Sequence, residues 1–150
     1  MKKATNFLIR EYTTAHDIGL LILRLVFAFV LLYGHGYGKM NVILSGQEIQ
    51  FMDPIGIGME VSFYLAAFAE GICAILLILG LFSRIASLIL TINFVVIFIF
   101  HAYILGDTFE ILELRYLYFF AFLALTFTGP GKFSLDYMFF SHTENKERIT

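Results

Sequence analysis

VSFYLAAFAEGICAILLILGLFSRIASLILTINFVVIFIFHAYIL, residues 61–105, decides the fold. It holds two apolar runs, Val61 to Phe82 and Ile85 to Leu105, meeting at Gly80-Leu81-Phe82-Ser83-Arg84. A helix takes about 20 residues to cross the hydrocarbon core of a bilayer, and each run is that long. So short a connection forces an antiparallel hairpin. Two further spans flank it, Ile18 to Gly38 and Ile111 to Phe127. The only two prolines, Pro54 and Pro130, fall between and after spans, where helix breakers belong. The expected fold is all-α: an integral membrane antiparallel four-helix bundle over 17–140, with spans at about 18–38, 61–82, 85–105 and 111–127.

Composition agrees. Of the 150 residues, 59% are hydrophobic and 15% charged, an excess of apolar side chain that a soluble domain of this length could not hide. The lipid bilayer is the expected partner. A net charge of −2 leaves no basic stripe for nucleic acid. The single cysteine, Cys73, excludes an intrachain disulfide and a CxxC redox pair. Lys2 and Lys3 stand too far before the first run for a cleaved signal, and that run contains Arg24. Residues 1–16 read as a tail or a short interfacial helix, and 141–150 as a charged tail.

Basic residues set the orientation. Lys2, Lys3, Arg10, Arg84, Lys132, Lys146 and Arg148 lie on one side, against Lys39 and Arg115 on the other. The richer side, with both termini, is expected to be cytoplasmic.

Ionisable groups at membrane depth cost roughly 2.5–3.5 kcal/mol each on insertion scales, so they face the bundle interior and pair. They are Arg24, His35 and Lys39 on span one, Glu70 on span two, His101 on span three together with the polar but uncharged Asn93, and Glu113 with Arg115 entering span four. Arg24 and His35 are eleven residues apart, about three turns, and share a face. Ala66, Glu70, Ala74 and Leu77 share another, whose small members admit a neighbouring helix. Arg24 is expected to pair with Glu70; the pair is either a structural lock or a functional site. His35 and His101 stand equally open between helix-end hydrogen bonding and function, whereas Lys39, Glu113 and Arg115 read as interfacial anchors. Two histidines and a carboxylate would suit zinc, iron or manganese, but no HxxxH or ExxH spacing is present and no metal is expected. Gly34-x-Gly36-x-Gly38 reads as close packing within the bundle.

In order and spacing, these pieces resemble the DoxX family of small bacterial membrane proteins. The resemblance runs from about Gly19 to Tyr137. It is carried by Arg24 with Gly34-His35-Gly36-Tyr37-Gly38-Lys39-Met40, Asp53-Pro54-Ile55-Gly56-Ile57-Gly58, Phe68-Ala69-Glu70-Gly71, Gly80-Leu81-Phe82-Ser83-Arg84, His101, Glu113-Leu114, and Gly129-Pro130-Gly131-Lys132-Phe133-Ser134-Leu135-Asp136. It implies a multi-pass protein of the bacterial inner membrane. The family is similar to the small subunit of archaeal thiosulfate:quinone oxidoreductase, and members are linked with oxidative-stress complexes containing superoxide dismutase and a sulfurtransferase. Distant relatives act as assembly chaperones. Arg115 departs from the pattern, which has a small apolar residue there.

Three functions are compatible with these features. The first is a redox-linked subunit whose polar cluster binds a quinone head group, with Glu70 or His101 handling protons and Phe94, Phe98 and Phe120 lining the ring. The alternative is a non-catalytic scaffold that recruits redox or stress enzymes through Gly129, Pro130, Gly131, Ser134 and Asp136 at the cytoplasmic face. The third, less favoured, is a small-solute carrier. Whether the chain is an enzyme, and whether it forms a homo-oligomer, the sequence leaves open.

Overall fold

The computed structural model describes residues 13–140. The tail readings at 1–12 and 141–150, including Lys2, Lys3, Arg10, Lys146 and Arg148, lie outside the described residues. Within them, every regular element is helical. Four helices are long and apolar enough to cross a membrane: α1 Thr13–Ser45, α2 Met59–Leu79, α3 Ser83–Leu105 and α4 Phe109–Thr128. Their outward faces carry large apolar side chains such as Ile22, Phe29, Leu65, Ile92 and Phe120, a surface that belongs in a lipid bilayer.

The core lies along the bundle axis. Ala28 and Leu31 of α1, Cys73, Ala74 and Leu77 of α2, Leu90 and Phe94 of α3, and Tyr118, Phe122 and Leu125 of α4 are all buried in one cluster. Alanines at the crossings let the helices approach closely, where dispersion rather than water exclusion drives association in lipid. α1, α2 and α3 each stop at a glycine in the left-handed region, Gly46, Gly80 and Gly106, the conformation that closes a helix C-terminus.

α1 runs well past the expected end at Gly38, to Ser45. Lys39 is therefore an interior helical residue, about 9 Å short of the helix end at 1.5 Å per residue, rather than an interfacial anchor.

Three of the helices contain a π-helical turn: Leu32–Gly36 in α1, Phe68–Cys73 in α2 and Phe100–Leu105 in α3. A π turn widens the helix and rotates the residues beyond it around the axis. The three turns hold His35, Glu70 and His101, three of the eight costly residues that the sequence singles out.

Candidate functional site

Glu70 is 3% exposed. Its Oε2 accepts a 2.6 Å bond from Lys39 Nζ, and its Oε1 a 3.2 Å bond from Asn93 Nδ2. Both carboxylate oxygens are thus used, one by α1 and one by α3. The backbone makes this reach short. At Gly36, an added Cβ would lie 2.1 Å from the carbonyl oxygen of Glu70, so α1 rests directly on the π turn of α2. The Met40 side chain covers Gly71 in the same way.

The expected Arg24–Glu70 pair does not form. Arg24 precedes Lys39 by fifteen residues on one helix, about 22 Å along its axis, so it cannot share Lys39's partner.

The opposite wall is built on α3 and α4. His101 Nδ1 lies 2.6 Å from Asp107 Oδ2, and its Nε2 lies 3.2 Å from Arg115 Nη2. A guanidinium only donates, so Nε2 must be the accepting nitrogen; Nδ1 then carries the proton and donates it to Asp107. Arg115 also donates to the Ile111 carbonyl one turn back. Arg115 is therefore part of a wall of the site.

Between the two walls lies a cavity of about 560 Å³. Lys39, Glu70, Asn93, His35, His101 and Arg115 give it its polar groups. Aromatic walls come from Phe51, Phe68, Phe94 and Tyr118. Tyr118 is buried, stacked at 4.9 Å on Phe94 and 5.9 Å on Phe122, with the His35 ring edge-on to it at 6.5 Å. The α1–α2 loop folds back over one end. Phe51 packs edge-on to Phe63 at 5.5 Å, and the Lys39 ammonium sits 5.9 Å from the Phe51 ring centre. Asp53 fixes that loop by accepting from Ser62 Oγ and from the backbone N–H groups of Ile57 and Gly58. The bond from Ser62, then that from Gly58, holds the Asp53 carboxyl below its ordinary range.

Two of the three aromatics expected at the ring are elsewhere. Phe94 lines the cavity, but Phe98 packs on Tyr116 at 4.7 Å and Phe120 faces outward. Each lies on the apolar strip between faces, where helical spacing alone does not separate lipid from lumen. Glu113 is exposed and outside the cavity. Tyr118 and Phe51 were missed. A tyrosine near a span end reads as interfacial belt, and a loop phenylalanine carries no signal of folding back. Among the described residues, no group of three His, Cys, Asp or Glu side chains is placed to hold a metal ion.

The remaining candidates gather at the other end of the bundle. Arg24, 2% exposed, donates from Nη1 to the Pro130 carbonyl at 2.8 Å and from Nη2 to the Phe133 carbonyl at 2.7 Å. The Lys132 N–H donates to Asp17 of α1. Asp136 accepts from the N–H groups of Phe82 and Ser83 at 2.7 and 2.8 Å, capping α3 from a distant part of the chain, and its own N–H donates to the Gly80 carbonyl. Ser134 accepts from the Tyr137 N–H at the start of the helical segment 135–140. Residues 129–136 are therefore a latch that ties α4 to α1 and to the α2–α3 turn. Asp136→Ala leaves two helix-end donors bare and should cost about 1–2 kcal/mol, read as a lowered thermal midpoint in detergent. Asp136→Asn should lose less, and equal loss would deny the cap its role.

A model of the DoxX family matches residues 19–102, more than half of the chain. The match takes in His35, Lys39, Glu70, Asn93 and His101 and stops before Arg115. No curated protein and no solved structure matches the chain.

Proposed function

The chain belongs to the DoxX family, and from that premise we propose that it is a redox-linked subunit of the bacterial inner membrane whose cavity binds the head group of a quinone-like molecule. One observation carries the reading: three π turns deliver a histidine, a glutamate and a second histidine to one aromatic-walled chamber. π turns recur at functional sites because they spoil a regular helix for the sake of a side chain's position. The chamber is rich in donors, with Lys39, Asn93, Arg115 and His35, while its one carboxylate is already occupied. A ligand with acceptor oxygens on a flat apolar ring complements that arrangement.

The topology proposed with it is up-down-up-down, both termini cytoplasmic. Contacts between α3 and α4 support an antiparallel pair: Phe94 meets Phe122, Phe98 meets Tyr116 and His101 meets Arg115, rising on one helix and falling on the other. The scaffold reading loses ground because the polar atoms of Ser134 and Asp136 are already taken by bonds within the chain. The test is binding of a short-chain benzoquinone or naphthoquinone analogue by equilibrium dialysis of the detergent-solubilised chain, with mass spectrometry of co-extracted small molecules. Glu70→Gln should weaken the analogue at least about tenfold, because Glu70 holds the Lys39 and Asn93 donors in place. Undiminished affinity in a folded variant would overturn the reading.

A further inference from the structure

Resting on that reading, we infer that the cavity selects head groups carrying a negative charge, and that Arg115 makes the selection. The charges in the chamber are unequal in kind. Lys39 is neutralised by Glu70 at 2.6 Å. Arg115 has no carboxylate within 4 Å among the described residues; its partners are the Ile111 carbonyl and the neutral Nε2 of His101. The nearest carboxylate in this chain of contacts, Asp107, is spent on the far side of the imidazole. A guanidinium has five N–H donors, and two neutral acceptors leave donors and a full positive charge facing the chamber.

Such a group is half-satisfied. Leu65, Ile89, Ile97 and Phe94 line the same chamber, so a ligand that fills it would displace water from around the guanidinium and strengthen its field there. An anionic oxygen would complete it with a charge-assisted bond, stronger than any a neutral carbonyl could offer. Asp107 acts as a positioning residue: by accepting from Nδ1, it keeps Nε2 as a lone pair that holds Arg115 against the wall without competing for the ligand's negative charge. The ligand class is therefore a flat apolar ring with an ionised oxygen, an enolate or phenolate, and not simply a neutral dicarbonyl.

Two probes that differ by methylation of one oxygen test this. A 3-alkyl-2-hydroxy-1,4-naphthoquinone is an anion near neutral pH; its 2-methoxy ether is neutral. The wild-type chain should favour the hydroxy compound by about tenfold or more, the lower end for a hydrogen bond to a charged group. Arg115→Leu should bring the ratio near one, and Arg115→Lys should keep most of it by retaining the charge. Asp107→Asn should reduce the ratio less than Arg115→Leu. A wild-type ratio near one, or an undiminished ratio in folded Arg115→Leu, overturns the selection while the quinone reading stands. Failure of both probes to bind the wild type removes the quinone reading itself.

Discussion

Gly36→Ala is expected to destabilise the packed bundle severely. The new Cβ would stand 2.1 Å from the Glu70 carbonyl oxygen, 2.7 Å from its carbon and 3.0 Å from Gly71 Cα. All three are backbone atoms, which cannot turn aside as a side chain does. The helices must separate, and separation pulls Lys39 from Glu70. Overpacking ordinarily costs about 1–3 kcal/mol; here it should reach the top of that range or pass it, because the ion pair is lost as well. Thermal unfolding and yield of monodisperse protein in mild detergent measure it. Gly34→Ala and Gly38→Ala are the controls, since a Cβ at either meets nothing within 4 Å. Both should be neutral or gain up to about 1 kcal/mol from a stiffer helix. Gly71→Ala should fall between, because the close atoms it meets belong to the flexible Met40 side chain. Equal tolerance at positions 34, 36 and 38 would deny that α1 rests on the π turn.

The contrast within Gly34-x-Gly36-x-Gly38 marks how far the sequence could be read. Close packing was legible from the spacing, but which glycine makes the contact was not, because a π turn begins at Leu32 and shifts the register. π turns arise from the order of main-chain hydrogen bonds and leave no pattern in residue types. The four long helices were legible because apolar length is fixed by the bilayer. The end of the first was not: Lys39 and Asn41 look like residues leaving the membrane, and the helix continues to Ser45. That misplacement hid Lys39 as Glu70's partner and promoted Arg24 instead. Arg24 does find partners, but they are carbonyls of Pro130 and Phe133. Every residue has a carbonyl, so an arginine satisfied this way cannot be matched to a partner by scanning side chains. The convergence of Glu70, Asn93, His35 and His101 was legible for the opposite reason. Each is too costly to leave in lipid, and a small bundle has only one interior.

Lys39 and Glu70 should behave as a unit, and a double-mutant cycle separates what they do for stability from what they do for the site. Removing one member of a buried ion pair strands the other, a loss of about 3–5 kcal/mol. The two losses should not be equal. Glu70 is 3% exposed on a short stem at mid-helix, whereas the Lys39 side chain is 17% exposed and long enough to snorkel toward the loop. Lys39→Met should therefore cost more than Glu70→Leu, even though Asn93 still donates to the carboxylate. Lys39→Met/Glu70→Leu removes both charges and fills their space with apolar atoms, and it should unfold within about 2 kcal/mol of the wild type. The signature is a strongly non-additive cycle, read from thermal or denaturant midpoints in one detergent. If the double variant is stable yet holds no quinone analogue, the pair is kept for the ligand and not for the fold. Simple addition of the single losses would mean that the two residues act on separate parts of the bundle, and the polar wall of the cavity would lose its foundation.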